Sequence, residues 1–218
     1  MSQTIKTFNG DNFQQLCQQL ASQDADLASV IERFGYPPRW HRPNSFESLI
    51  HIILEQQVSL ASAKAALDKL RQKLGDVTPQ ALLSLDDDEL KACYFSRQKT
   101  VYARGLAQAL VGGQLDLVSL PGLADDEVRQ QLVSLKGIGN WTVDIYLIMV
   151  LQRSDIFPFG DLAVLNALKQ LKQLPTQTPA AELLAITDSW RPYRTIATMI
   201  LWHFYLSASA KTKRSALS

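Results

Sequence analysis

The sequence predicts an all-α protein, and three observations carry that prediction. Apolar residues recur at spacings of three and four along most of the chain, the pattern of helices that turn one face to a core. No stretch alternates apolar and polar residues for long enough to read as a strand. Glycine and proline clusters cut the periodic stretches into short pieces, which gives a globule of short helices rather than a long bundle.

Taken in order, the periodic stretches are Asn12–Ser22, Ser45–Gln56, Ser59–Leu74, Arg97–Val111, Asp125–Val133, Asn140–Leu151, Leu162–Leu171 and Pro192–Leu206. Between them lie Gly35-Tyr36-Pro37-Pro38, Gly75-Asp76-Val77-Thr78-Pro79, Gly112-Gly113 and Pro121-Gly122, and Pro175 and Pro179 bracket a further break. Leu85-Asp86-Asp87-Asp88-Glu89-Leu90 and Ala124-Asp125-Asp126-Glu127-Val128 each open a short helix that leads through a turn into a longer one. Acidic residues suit the positive end of a helix dipole, and that alone explains the echo.

The 218 residues fit one large domain or two small ones, and 46% hydrophobic residues suffice for a core. The longest apolar run, Ile145 to Leu151, is far below the roughly 20 residues of a membrane span. Met1 to Asn12 has no basic stretch followed by an apolar one, so secretion is not expected. Cys17 and Cys93 are the only cysteines. Two isolated thiols suit a reducing compartment and exclude a four-cysteine zinc or iron–sulfur site within this chain. The net charge of +1, from 22 basic and 21 acidic residues, gives no global argument for nucleic acid. Basic residues do cluster locally, at Lys64, Lys69, Arg71 and Lys73, at Arg97, Lys99 and Arg104, at Arg191 and Arg194, and at Lys211, Lys213 and Arg214. Solvated helix faces explain such clusters equally well.

The most informative stretch is Leu135-Lys136-Gly137-Ile138-Gly139-Asn140-Trp141-Thr142, between two helical stretches. Gly137 and Gly139 can take positive φ and leave no side chain in the way. Ile138 between them can point inward and pin the two helices. The N–H groups opening the next helix then face outward at its positive end and form a phosphate site, with Lys136 adding a point charge. A glycine corner that only packs two helices closely would show the same Gly-x-Gly. After the second helix, Pro158 and Gly160 form an irregular loop, and Asp161 stands at the N-cap of Leu162–Leu171. An isolated Asp in that place could be a cap and nothing more.

Together these features resemble the helix-hairpin-helix DNA glycosylase superfamily, whose members carry the hairpin, a Gly/Pro loop and an aspartate in this order. Further segments resemble its 3-methyladenine DNA glycosylase II branch. They are Ile52-Ile53-Leu54-Glu55-Gln56-Gln57-Val58-Ser59, Tyr94-Phe95-Ser96-Arg97-Gln98-Lys99 and Trp190-Arg191-Pro192-Tyr193-Arg194. The likeness runs from about Phe46 to Trp202. It implies two packed helical subdomains with the hairpin and an active-site cleft between them. The boundaries expected on this reading join 36–111 with 125–175 (hairpin 125–151) in one subdomain, and 1–35 with 176–207 in the other, with 208–218 a basic tail. The β-rich N-terminal domain of some members is expected to be absent.

What the resemblance implies for chemistry is specific. The target nucleotide is flipped out of the duplex, and cleavage of its glycosidic bond builds positive charge on the sugar. Asp161 is the carboxylate expected to stabilise that charge and to orient or deprotonate water. Members that also cut the strand carry a lysine two residues after the second hairpin glycine. Here that residue is Trp141, so water is the expected nucleophile and an abasic site the product. Alkylated purines such as 3-methyladenine and 7-methylguanine are cationic, and an indole face attracts such a base. Trp141, Trp202 and Ile145 are the expected pocket residues, although core packing would also explain either tryptophan. A bacterial member has tyrosine where this chain has Ile145 and a second acid where it has Gly160, so the base range is expected to be narrower or shifted.

Contacts to double-stranded DNA are expected at Lys136, Gly137, Ile138, Gly139, Gln57, Ser59, Lys99 and Arg194. Gln57 is the candidate wedge for the gap left by flipping, with a helix-capping or solvent-facing glutamine as the alternative. The carbonyls of Val133, Leu135 and Ile138 are the expected ligands of a structural monovalent cation, and no other cofactor is expected. The reading is of a monomer in the cytoplasm or at the nucleoid, or in a nucleus. A non-catalytic hairpin module and a glycosylase for another damaged or mismatched base are the competing readings.

Overall fold

A computed structural model describes the backbone of residues 7–215 and the side chains of residues 7–208. Twelve α-helices follow one another among the described residues. They are α1 (Phe13–Gln23), α2 (Ala25–Phe34), α3 (Phe46–Glu55), α4 (Leu60–Leu74), α5 (Pro79–Leu83), α6 (Asp87–Ala92), α7 (Arg97–Val111), α8 (Asp125–Val133), α9 (Asn140–Met149), α10 (Leu162–Leu171), α11 (Ala180–Asp188) and α12 (Arg194–Ser215). A single bridge between Thr7 and Arg153 is the extent of β pairing described. The predicted all-α class therefore holds, and no described helix is long and apolar enough to cross a membrane.

The chain forms two compact units. One is the continuous segment 42–151, built from α3 to α9. Its centre is α3, against which α4, α7 and α9 pack, while α5 and α6 lie on α7 and α8 on α9. In α9 every residue from Thr142 to Ile148 is buried, as expected of a helix that is covered on all sides. Arg42 opens this unit. Its backbone N–H donates to the Met149 carbonyl at 2.9 Å, and its guanidinium forks onto Glu55 at 3.0 and 2.5 Å.

The other unit combines the described residues up to His41 with those from Gln152 onward. Here α12 packs against α1, α2 and α10. The expected boundaries at 35/36 and 175/176 therefore move to 41/42 and 151/152. The physical reason lies in α10, which buries Val164, Ala167 and Leu168 and packs on α12. Lys172, just beyond α10, adds an ion pair to Asp24 at 2.7 Å. Residues 112–124, left out of the expected subdomains, belong to the unit with the hairpin.

The segment expected as a basic tail is corrected in part. The backbone of α12 stays helical to Ser215. The side chains of Lys211, Lys213 and Arg214 lie outside the described residues. Both acidic helix starts prove to be capping devices. Asp86 accepts from Glu89 N–H while Glu89 reaches back to Asp86 N–H, and Glu127 accepts from Ala124 N–H at 2.8 Å.

Candidate active site

The hairpin is built as its sequence requires, with one difference. Gly137 has φ +90°, a conformation that suits glycine. It also faces the Tyr102 ring so closely that a Cβ would stand 2.0 Å from Cγ of that ring. Gly139, expected to share the positive φ, is extended at φ −98°, ψ 178° and forms the N-cap of α9. Only one left-handed residue is needed because Ile138 turns inward and is buried, and its N–H closes the turn onto the Leu135 carbonyl at 3.1 Å. Gly139 brings no side chain to cap α9, so the helix start presents backbone to solvent at its positive end. Lys136, Gly139 and Asn140 are all exposed there. Arg129 of α8 braces the corner by donating to Asn140 Oδ1 at 3.1 Å and to Asp144 Oδ1 at 2.5 Å.

Trp141 and Ile145 sit on α9. Trp141 is half-buried, whereas Ile145 is buried, a core position on this helix. Val133 and Leu135, two of the expected cation ligands, lie where α8 ends, and helix ends leave carbonyls without intrahelical partners. The Leu135 carbonyl takes the Ile138 N–H and keeps a second lone pair. Neutral oxygens at the negative end of a helix dipole suit a monovalent cation. Among the described residues no cluster of three or more His, Cys, Asp or Glu side chains could hold a metal.

The turn after α3 lies against the same corner. Gln57 is exposed and left-handed at φ +57°, and Ser59 caps α4 by accepting from Ser62 N–H at 3.1 Å. Gln56 carries no signal in sequence, yet its amide donates to the Gly137 carbonyl and to Thr142 Oγ1, both at 2.9 Å. Lys99, expected to reach DNA, turns inward. Its ammonium donates to the Leu54 carbonyl at the end of α3, at 2.6 Å, and burial lowers its pKa below the usual lysine value. Leu54, Val58, Ser62, Ala65, Ala66, Tyr94 and Lys99 line a cavity of about 270 Å³ beside this turn.

Asp161 belongs to the other unit. It is half-buried, its Oδ1 accepts from Val164 N–H at 3.0 Å, and its own N–H donates to the Pro158 carbonyl at 2.8 Å. The carboxylate thus caps α10, as its position predicted, while part of it stays accessible. The preceding loop is fixed from two sides. Phe157 is buried with its ring centroid 4.8 Å from Phe159 and 6.2 Å from Trp190. Ahead of it, Ile156 N–H donates to Thr195 Oγ1 at 2.9 Å, and Thr195 N–H to the Ser154 carbonyl at 3.0 Å.

Arg194 requires a correction. Expected at the DNA, it is clasped onto the loop that leads to Asp161. Its Nε donates to Asp155 Oδ1 at 2.7 Å and its Nη2 to the Asp155 carbonyl at 2.8 Å, with only 13% of the side chain exposed. The cause is charge pairing, since Asp155 and Asp188 both lie within reach of its guanidinium. Trp202 is buried and meets Trp40 edge-on, with centroids 5.9 Å apart. It is thus part of an aromatic pair within its own unit.

Comparison with known proteins gives the same reading as the hairpin and the carboxylate. The profile of the HhH-GPD superfamily of base excision DNA repair proteins matches residues 50–192. Among curated relatives, a putative DNA-3-methyladenine glycosylase of Bacillus subtilis is 27% identical over 184 residues, covering 81% of this chain and 64% of its own length. DNA-3-methyladenine glycosylase 1 of Schizosaccharomyces pombe is 29% identical over 190 residues, covering 84% of this chain and 83% of its own. Among solved structures, a 3-methyladenine DNA glycosylase from Schizosaccharomyces pombe in complex with abasic DNA superposes with a TM-score of 0.79 at 26% identity, over 86% of this chain and 95% of that one. The chain belongs to the HhH-GPD superfamily of base excision DNA repair proteins, in the branch of the 3-methyladenine DNA glycosylases.

Proposed function

We propose that this chain hydrolyses the N-glycosidic bond of alkylated purines, 3-methyladenine and 7-methylguanine, in double-stranded DNA and leaves an abasic site. The observation that carries the reading is Asp161: a partly accessible carboxylate held at a helix start by a loop pinned on both sides. A carboxylate fixed in place stabilises positive charge as it develops on the sugar, without having to reorganise. The hairpin supplies a grip on phosphate through the exposed backbone at Gly139 and Asn140 and through Lys136. Gln57, held outward, fills the gap left by the flipped nucleotide.

The chemistry beyond Asp161 follows from Trp141. With Trp141 where strand-cutting relatives have lysine, no amine attacks the sugar there, and water takes that role. The indole of Trp141 favours a cationic base by about 0.5–2 kcal/mol, depending on how far the site excludes water. Such bases already have weakened glycosidic bonds, so little acid catalysis is needed. A monovalent cation, held by the carbonyls of Val133, Leu135 and Ile138, would add fixed positive charge near the phosphate. The protein works as a monomer wherever the cell keeps its DNA.

The test is release of base from duplexes carrying 3-methyladenine or 7-methylguanine. Base release without strand breaks is the expected result, with breaks appearing only after alkaline treatment. Asp161→Asn is expected to abolish release while leaving affinity for an abasic-site duplex within about threefold, since the carboxylate acts on positive charge that develops only in the transition state. Unchanged release by that variant would sink the assignment. Strand cleavage trapped by borohydride would sink the role given to water.

A further inference from the structure

We infer that Gln56 is a positioning residue, which ties the turn bearing Gln57 to the phosphate grip and so sets the register in which the protein holds DNA. The inference rests on the glycosylase reading and adds a residue to it. Gln56 ends α3 and is half-buried. Its amide donates two hydrogen bonds of 2.9 Å, to the Gly137 carbonyl in the hairpin turn and to Thr142 Oγ1 in the first turn of α9.

The consequence for the hairpin is geometric. The peptide joining Gly137 to Ile138 is held at both ends, its carbonyl by Gln56 and its N–H by the Leu135 carbonyl. Tyr102 closes the remaining side of Gly137, and Ile138 is buried. With that peptide plane fixed, the exposed backbone of Gly139 and Asn140 has one direction in which to face. The same residue precedes Gln57, whose left-handed backbone at φ +57° holds its side chain outward. Lys99 pins the end of α3 from beneath through the Leu54 carbonyl. One side chain therefore couples the phosphate grip to the wedge. Removing it leaves the Gly137 carbonyl without its donor and lets the two surfaces shift against each other.

The experiment compares wild type, Gln56→Ala, Gln56→Glu and Thr142→Val. Affinity is read from a fluorescein-labelled duplex with a tetrahydrofuran abasic analogue, and single-turnover base release is measured at saturating DNA. Both Gln56 variants are expected to weaken binding about tenfold, because DNA must then order a turn and a hairpin that Gln56 otherwise holds in place beforehand. Their release rate at saturation should stay within about threefold of wild type, because Asp161 is untouched. Thr142→Val removes one of the two anchors and should weaken binding by about threefold. Gln56→Glu adds a chemical signature. An ionised carboxylate cannot donate to the Gly137 carbonyl but a protonated one can, and burial favours the protonated form. Its affinity deficit relative to wild type should narrow between pH 8 and pH 5.5, whereas that of Gln56→Ala should not. Wild-type affinity in both Gln56 variants, or a loss of rate with affinity intact, would overturn the inference. If neither Gln56 variant folds, Thr142→Val decides alone: weakened binding at normal rate supports the role, and unchanged binding refutes it. Absence of base release by the wild-type protein would instead count against the glycosylase reading.

Discussion

Arg194 separates what a residue's letter suggests from what its surroundings allow. A phosphate contact must keep its guanidinium turned to solvent, but this one is spent on Asp155 and lies mostly buried. Its effect on catalysis should run through the loop it clasps. Arg194→Gln is therefore expected to lower the single-turnover rate at saturating DNA by about 10- to 100-fold, since a displacement of roughly 1 Å at a catalytic group costs that much. Affinity for an abasic duplex should change by no more than about twofold. A large loss of affinity at normal rate would return Arg194 to the DNA surface. The sequence could not reveal this, because Asp155 lies 39 residues away. The same limit hid Gln56. Two adjacent glutamines look alike in a sequence, and only the backbone shows one turned toward the hairpin and the other toward solvent. Asp161, by contrast, was legible, since a Gly/Pro loop before a periodic helix fixes both its position and its cap.

At the scale of elements, α7, α8 and α10 have the bounds their periodicity and caps predict. Legibility failed where signals were short or lay in another element. Five-residue α5 has too few turns for a period to show. α2 carries the signals, with Leu27 and Val30 on one face and Asp24 before them, but Asp24 alone separates it from α1 and no Gly or Pro marks the break. Asp24 matters more than a cap. Its carboxylate accepts from Asp26 and Leu27 N–H, from Trp190 Nε1 at 2.8 Å and from Lys172 Nζ at 2.7 Å, joining α2 to the loop after α10 and to the segment before α12. Burial alone would raise its pKa, yet Lys172, Trp190 and the Leu27 N–H outweigh it and hold the carboxyl below its ordinary value. Asp24→Asn is expected to destabilise the protein by about 2 kcal/mol, the usual worth of hydrogen bonds to a charged group, because Lys172 loses this partner but keeps Asp26 at 2.8 Å. The sign of the pH effect follows from the lowered pKa. The stabilisation is complete above the unfolded value near pH 4 and fades as pH falls through the lower folded value. In urea melts the gap between wild type and variant should be constant from pH 5 to 8 and shrink below about pH 4. A gap that persists at pH 3 would assign the effect to packing.

For the whole molecule, the sequence predicts two units, and the structure sets their borders at 41/42 and 151/152, because helix partners cannot be read from helix period. α10 follows the hairpin in sequence and packs with the chain's last helix in space. Charge distribution carries the remaining consequence. Most basic clusters seen in the sequence are neutralised locally: Lys64 by Asp68, Arg71 by Glu47, Lys73 by Glu89, Arg104 by Asp87 and Arg191 by Asp155 and Asp188. With a net charge of only +1, a protein of this kind should grip DNA mainly through backbone N–H groups and a few lysines, rather than through a broad cationic face. Counterion release scales with the number of phosphates neutralised by side-chain cations. About three such contacts would give a slope of log affinity against log salt of about −2.7 and about a 40-fold loss between 50 and 200 mM salt. Titration of an abasic duplex over that range measures the slope directly. Lys136→Ala should reduce its magnitude by about one, in line with the loss of one phosphate contact. A wild-type slope steeper than about −6 would mean that cations not accounted for at the hairpin dominate the grip.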